Sequence, residues 1–274
     1  MTISVVVPAH NEERVIAANL HRLLADAQPG EFDIVVVCNG CTDRTADAAR
    51  AVPNVRVAEL AEAGKPAALA YGDTLAVEFP RLYLDADIAL DAASARLLAA
   101  AVSEPGVHAA APSRRFTLDR SPLLVRAYYS VWELLPGVRD GLFGRGAIAV
   151  SAEGHERICS LPAARSDDLA AHLAFVPAER RVVSGAAAVI NPPRTTADLF
   201  RRRVRALQGT TELAGAEAAR TSWADVAAVV RARPAELVAL PVFLAFAVGA
   251  KLAVRWGRFD RGVWLRDESS RALS

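Results

Sequence analysis

The first 110 residues alternate between two textures, and that alternation restricts the fold more than any other feature of the chain. Short runs rich in β-branched residues fall at 3–8 (ISVVVP), 32–38 (FDIVVVC), 55–60 (VRVAEL), 81–87 (RLYLDAD) and 107–112 (VHAAAP). Continuous apolar runs suit strands covered on both faces, as in a parallel sheet. Between them lie helix-compatible segments. Residues 12–27 follow Asn11, a good N-cap, and place Glu12 and Glu13 at the positive end of a helix. Val15, Ile16, Leu20, Leu23, Leu24 and Ala27 then line one helical face. Residues 43–51 and 66–77 are Ala-rich, and 91–102 follow Asp91, a second good cap. Strand alternating with helix predicts βαβ units and a doubly wound α/β sheet.

Beyond residue 112 the pattern loosens. A helical stretch at 121–135 precedes a Gly-rich turn, DGLFGRG (140–146), a strand-like AIAVS (147–151) and an apolar run near 182–190. The last third is helical and Arg-rich. Leu237 to Ala250 carries no charge and contains Pro241. Its fourteen residues span about 21 Å as a helix, short of the roughly 30 Å of a bilayer core. It reads as a helix that dips into a membrane interface or packs on a partner; the alternative is a helix buried in the domain itself.

Charge narrows the partners. The net charge of +1 argues against a nucleic-acid binder. Residues 1–193 hold 18 basic against 23 acidic side chains, a net −5, whereas 194–274 hold 14 against 8, a net +6. A basic C-terminal part suits an anionic neighbour, such as a phospholipid surface or a diphosphate. Three cysteines (Cys38, Cys41, Cys159) make no disulfide framework and suggest a reducing compartment. The N-terminus reads without a signal peptide. The expected place is the cytoplasm, with a peripheral position on the inner face of the cell membrane as a further option for the tail.

Six segments carry candidate chemistry. The strongest is Leu84-Asp85-Ala86-Asp87-Ile88, directly after a buried strand. In extended chain, i and i+2 point the same way, so Asp85 and Asp87 converge at the strand's C-terminal end. Open α/β sheets place ligands at that edge. Paired carboxylates there suit a hard divalent cation that shares its ligands with phosphates. The bland reading has one Asp capping a turn and the other solvated. VVVPAHNEE (5–13) is the second segment: a strand opens a helix whose free N–H groups face a ligand. A merely capped helix reads equally well.

The third, VVVCNGCTDRT (35–45), has a turn at Asn39-Gly40 and a cap at Thr42 or Asp43. Its Cys-x-x-Cys lacks the further ligands a zinc site needs, so redox or zinc chemistry is disfavoured. In the fourth, AGKPAALAYG (63–72), Lys65 opens a helix without forming a P-loop. Lys65 and Lys251 are the only lysines in a chain that otherwise uses Arg, which favours a specific role such as a phosphate contact. In the fifth, Ser166-Asp167-Asp168-Leu169, two adjacent carboxylates repel, which raises one pKa toward the range of a general base. The sixth, DLFRRRVRALQG (198–209), has Arg201, Arg202, Arg203 and Arg205, which cannot share one helix face. Some of them suit a diphosphate or lipid phosphates. For these three the bland readings are an exposed lysine, a solvated helix start and a solvated basic helix. Gly144-Arg145-Gly146-Ala147-Ile148-Ala149 matches a loose dinucleotide fingerprint but follows no buried strand and opens no helix, so it is set aside.

Taken in order, these segments over about residues 3–209 resemble the family-two glycosyltransferases of GT-A fold, in particular their membrane-associated, inverting members. PAHNEE resembles the opening nucleotide motif, GKPAAL the Gly-Lys helix start, DAD the metal motif and SDDL the acidic base motif, with Asp168 in the base position. FRRRVRALQG resembles a Gln-Arg-x-Arg-Trp segment. Cys38 and Asn39 stand where acids are usual, and Arg202 and Ala206 stand where Gln and Trp are expected. The resemblance implies a GT-A domain over 1–212 and a helical, basic extension over 213–274. It implies a nucleotide-diphosphate sugar donor held by Pro8, Ala9, Glu12, Asn39, Lys65, Asp85, Asp87 and Arg202. Asn39 retains the capacity to hydrogen-bond a uracil-like edge.

Asp85 and Asp87 would hold Mg2+ or Mn2+. Asp168 with Asp167 and Arg205 would form the catalytic set, moving a hexosyl group onto an acceptor hydroxyl with inversion. The acceptor stays open among a lipid, a saccharide and a small molecule. The rival is a degenerate transferase that binds nucleotide sugar or scaffolds at a membrane, prompted by the altered positions 38, 39 and 206. A sugar-nucleotide pyrophosphorylase is expected to carry a Gly-rich, Arg-containing loop after the first strand, and PAHNEE lacks it.

Overall fold

A computed structural model describes residues 1–161, 167–211 and 221–256. The candidate Ser166, the boundary proposed at 212/213 and the basic segment 257–274 lie outside the described residues, as does the side chain of Asp167.

The chain opens β1 (Ile3–Ala9), α1 (Ile16–Leu24), β2 (Phe32–Asn39), α2 (Thr45–Arg50), β3 (Val55–Leu60), α3 (Lys65–Leu75), β4 (Arg81–Leu84), α4 (Ala92–Val102) and β5 (Ala109–Phe116). Then come α5 (Leu123–Trp132), α6 (Pro136–Asp140), β6 (Ala147–Val150), α7 (Ala152–Cys159), α8 (Asp167–Leu173) and β7 (Arg180–Ile190). The last described helices are α9 (Thr196–Thr211), α10 (Trp223–Ala232) and α11 (Leu240–Arg255).

Seven strands form one sheet in the order β3-β2-β1-β4-β6-β5-β7. β1 to β4 are parallel, β6 is antiparallel to β4 and β5, and β7 runs parallel to β5. The expected doubly wound arrangement is therefore present, with one strand reversed in its middle. Every residue of β1 is buried, because the sheet is covered on both faces. On one face Ile16, Leu20 and Leu23 of α1 and Leu98 of α4 pack on Val5, Val7, Ile34 and Val36. On the other, Ala68 of α3 packs on Val6, Val35 and Val37. Gly72 lets α3 lie this close: a Cβ there would stand 2.4 Å from Val6 Cγ1.

Asp91 caps α4 as expected, its Oδ1 accepting the Ser94 N–H at 2.8 Å. Asn11 does not cap α1. It adopts a left-handed backbone (φ 53°), and α1 starts at Ile16 after a turn in which the Glu12 carbonyl accepts from Val15 and Ile16.

The uncharged stretch 237–250 packs on the helices that precede it. Phe243 stacks on Tyr128 of α5 at 5.4 Å between ring centroids, and Ala250 and Ala253 pack on Val204 of α9. Its inward face is thus packed within the molecule, as the alternative reading had it. α5 and α9 supply the apolar surface that α11 needs, and no described helix is long and apolar enough to cross a membrane. The outer faces still expose Leu237, Val238 and Trp256.

Candidate active site

Three loops meet at the C-terminal edge of β1, β2 and β4, where an open sheet collects ligands. The two after β1 and β2 are laced together. Asn11 Oδ1 accepts the Thr42 N–H at 2.7 Å, and the Glu12 N–H donates to Thr45 Oγ1 at 2.7 Å. Glu13 Oε2 accepts the Arg44 N–H at 3.0 Å, and Asp43 Oδ1 accepts the Thr45 N–H at 3.0 Å. The left-handed conformation of Asn11 is what carries its side chain across to the neighbouring loop. Pro8 and Ala9 end β1 opposite Val37 and Cys38. Glu12 is 6% exposed, enclosed by this lacing.

Asn39 is corrected by the structure. Its side chain is 4% exposed and already committed: Nδ2 donates to Ala9 O at 2.8 Å, and Oδ1 accepts the Gly64 N–H at 2.9 Å. It ties β1, β2 and the start of α3 together rather than presenting an amide to a base edge. Gly40 makes this approach possible, since at its φ of 57° a Cβ would stand 2.6 Å from the Ala63 backbone nitrogen. His10 Nδ1 lies 2.6 Å from the Asn39 carbonyl oxygen, an attachment the sequence reading missed. Cys38 is buried, and desolvation pushes its thiol up to about 12. That opposes the thiolate which redox or zinc chemistry requires. Cys41 Sγ sits within the same lacing, 3.4 Å from the Asn11 nitrogen.

Lys65, the first residue of α3, donates from Nζ to Asp85 Oδ1 at 2.6 Å. The Gly-Lys motif and the first acid of DAD are thus one ion pair at the sheet edge, its side chains 27% and 36% exposed. The DAD segment is a turn rather than extended chain. β4 ends at Leu84, and the Ile88 N–H donates to the Asp85 carbonyl at 3.1 Å. Alternation survives nonetheless: Ala86 and Ile88 are buried in the core, while Asp85 and Asp87 are half-exposed. Asn19 of α1 fixes the turn by donating to Ala86 O at 2.8 Å.

A fourth segment, the turn 141–146 between α6 and β6, links this edge to the predicted base. Gly146 O accepts the Asp85 N–H at 2.8 Å. Two residues earlier, the Gly144 N–H donates to Asp168 Oδ2 at 2.5 Å. Asp168 lies in α8, and its Oδ1 accepts the Leu169 N–H at 2.8 Å. Half-buried Arg114 and buried Arg145 hold the other side of the turn. Arg114 donates to the carbonyls of Val138, Phe143 and Gly144, and Arg145 to those of Val138, Arg139, Gly141 and, on β5, Pro112. Burial pushes Arg114 down to about 9 and Arg145 down to about 10. Gly144 and Gly146, set aside as a false fingerprint, both have positive φ (64° and 65°). A Cβ on Gly146 would stand 2.2 Å from Ile88 Cγ1. The signal for this turn was present as a cluster of glycines; no local pattern showed what the turn connects.

Of the four arginines of α9, two are turned to structure: Arg201 pairs with Asp198 at 2.6 Å, and Arg203 lies over the Tyr128 ring at 5.7 Å. Arg202 is half-buried, and both its charge and that of Asp168 act on Arg114. Arg205 is half-buried on the same helix.

Among the described residues, one group of potential soft-metal ligands draws together: Asp73, His155 and Cys159, with ligand atoms within 4.8 Å of one another. It surrounds the start of β4, away from the DAD turn. Arg81, 3% exposed, donates to Asp73 Oδ1 at 2.8 Å and lies 3.3 Å from His155 Nε2. A buried guanidinium inside the cluster opposes a cation, so the group is a polar anchor for β4, α3 and α7.

The glycosyl transferase family 2 model matches residues 4–150, from the second residue of β1 to the end of β6. No curated protein sequence matches the chain. Among solved structures, the mannosyltransferase PcManGT from Pyrobaculum calidifontis, in complex with GDP-Man and Mn2+, is similar with a TM-score of 0.65. It is 19% identical, over 94% of this chain and 88% of that one. A glucosyl-3-phosphoglycerate synthase from Mycobacterium tuberculosis, in complex with Mn2+, UDP-Glc and phosphoglyceric acid, has a TM-score of 0.53. It is 20% identical, over 76% and 79% of the two chains. TarS from S. aureus has a TM-score of 0.51 at 20% identity, over 76% of this chain and 39% of that one. These likenesses show the fold, the GT-A arrangement with helices appended at its C-terminal end. With the family model covering more than half of its length, the chain belongs to glycosyl transferase family 2.

Proposed function

We propose that the chain transfers a hexosyl group from a nucleotide-diphosphate sugar to an acceptor hydroxyl by a single inverting displacement. One observation carries the reading most: Asp85 and Asp168 are attached to the two ends of one three-residue segment, Gly144–Gly146. A group that holds the leaving diphosphate and a group that takes the acceptor proton need such a fixed relation.

The two laced loops and the start of α3 form the donor side. Pro8, Ala9 and Glu12 bound it, Asn39 shapes it by holding Ala9 and Gly64, and Lys65 and Arg202 supply charge for the diphosphate. Asp85 and Asp87 are hard oxygen donors, half-exposed on one side of a turn. That donor set fits Mg2+ or Mn2+, which take one or two carboxylates together with substrate phosphates. Such an ion, when bound, supplies charge neutralisation for the leaving diphosphate. The relatives of known structure that hold Mn2+ with GDP-Man or UDP-Glc support this assignment.

Asp168 takes the proton from the acceptor hydroxyl as its oxygen attacks the anomeric carbon. Each of its oxygens accepts one backbone N–H, which fixes the orientation of the carboxylate against the turn. Asp167 adjoins it in α8, and Arg205 assists at the departing phosphates. A base on the face opposite the leaving group gives inversion. The transferase domain spans 1–212, and the helices after it form an extension docked on α5 and α9. The exposed Leu237, Val238 and Trp256, with the net +6 of residues 194–274, support a peripheral contact of this extension with an anionic bilayer. Sedimentation with anionic vesicles tests that contact. The transfer reading is tested by Asp168→Asn, which is expected to abolish turnover and leave donor affinity within about twofold; loss of donor binding removes Asp168 from the base role.

A further inference from the structure

We infer that His172 is a positioning residue for the transfer step: its neutral imidazole holds the 141–146 turn against the helix that carries Asp168. This rests on Asp168 being the base.

Asp168 and His172 are four residues apart in α8 and share one face of that helix. They take two N–H groups of the same turn. Asp168 Oδ2 accepts from Gly144 at 2.5 Å, and His172 Nδ1 accepts from Leu142 at 3.2 Å. The residue between, Phe143, meets the imidazole edge-on, with centroids 5.2 Å apart and planes at 89°. On its opposite side the same turn gives carbonyls to Arg114 and Arg145. The turn is therefore clamped between guanidinium donors and an α8 face of acceptors. Gly146 at its end holds the backbone of Asp85. Releasing one side moves the base relative to the turn that bears the donor-side carboxylate.

The clamp works only with a neutral imidazole. Leu142 donates toward Nδ1 and the Arg180 guanidinium faces Nε2, so a donor stands opposite each ring nitrogen. Arg180 of β7 lies 3.0 Å from Nε2, but the same nitrogen of Arg180 has carbonyl acceptors in His172 O at 2.7 Å and Phe175 O at 3.3 Å. A second proton, on Nδ1, would point at the Leu142 N–H. The charged groups acting on the ring are Arg180 from β7, Arg145 from the turn and Asp168 from its own helix. Burial and the two cations outweigh the carboxylate and push the imidazole down to about 4. The ring is 8% exposed, so water does not replace the lost partner.

The test uses the full chain with Mn2+ and, as probes, GDP-mannose and UDP-glucose, reading donor turnover. His172→Phe keeps a ring in the site and removes the acceptor; kcat is expected to fall about 10- to 100-fold with donor KM within about twofold. His172→Asn, whose Oδ1 takes the place of Nδ1, is expected to recover most of kcat. Wild-type kcat in the Phe variant, or an Asn variant as impaired as Phe with an unchanged thermal melt, overturns the inference. Imidazole nitrogen shifts in the unsubstituted protein give a readout independent of turnover. They are expected to show a neutral ring down to about pH 5; an imidazolium above that pH also overturns it. Failure of the base assignment is seen separately, as retained turnover in Asp168→Asn.

Discussion

The Gly144 N–H donates to Asp168 Oδ2 at 2.5 Å, which fixes the proposed base to the turn that enters β6. Two residues on, the same turn accepts from the backbone of Asp85. Two acidic motifs 83 positions apart by residue number are thereby held by one short segment. Four consequences can be measured.

The Lys65–Asp85 pair should matter to ligand binding and little to stability. Both side chains are about one-third exposed. Such a pair contributes roughly 0–1 kcal/mol to folding once solvent screening is counted. Lys65→Met is expected to leave the urea midpoint nearly unchanged and to weaken nucleotide-diphosphate affinity about tenfold or more. A large loss of stability with intact affinity contradicts a role at the diphosphate.

Gly146→Ala combines two penalties. Its φ is 65°, and the added Cβ would stand 2.2 Å from Ile88 Cγ1, behind the DAD turn. Strain at such a position costs about 1–3 kcal/mol before the clash is added. Gly30→Ala is the control, since Gly30 has φ 75° and nothing within 4 Å of its added Cβ. Denaturant unfolding should place Gly146→Ala well below the control, with reduced kcat in the folded fraction. Equal losses in the two variants mean that the turn yields freely.

Stability should fall in acid through His172. In the folded chain burial and the neighbouring cations push its pKa down to about 4, from the 6.5 of an ordinary histidine. The unfolded chain therefore takes the proton first. The stabilisation is complete above about pH 6.5 and declines steadily toward pH 4, by at most roughly 3 kcal/mol. Melting temperatures across that range should fall less steeply for His172→Asn. Parallel slopes for the two proteins contradict a buried neutral imidazole.

The core between α5 and α11 should be indispensable to the C-terminal helices. Phe243 is 3% exposed and stacks on Tyr128. Phe243→Ala is expected to cost about 3–5 kcal/mol, read by denaturant unfolding. A cost under 1 kcal/mol is expected only if α11 docks elsewhere, as a membrane-dipping helix would.

The middle of the sheet was legible in the sequence because β1 and β2 are buried on both faces and read as nearly unbroken apolar runs. β1 and β2 lie within one residue of their expected ends. The reversed β6 was seen as a strand, but its direction depends on tertiary pairing that no periodicity encodes. Asn39 was misjudged for the same kind of reason: an amide beside a turn looks available, and only the packing of Gly64 against it shows that it is satisfied internally. Apolarity alone does not say which surface receives the helix of 237–250; its inward face meets Tyr128, Val204 and their neighbours. His172 went unnoticed because a lone histidine in an apolar helix face carries no pattern. Its role comes from Leu142, 30 residues away.

The most direct measurement is calorimetric titration of the full chain with a panel of nucleotide diphosphates, in Mn2+ and in chelator. The account predicts that one nucleotide binds, that binding requires the metal, and that Asp85→Asn and Asp87→Asn abolish it while Asp168→Asn does not. A folded protein that binds none of them, or binds equally well in chelator, contradicts the account and favours a degenerate transferase acting as a scaffold.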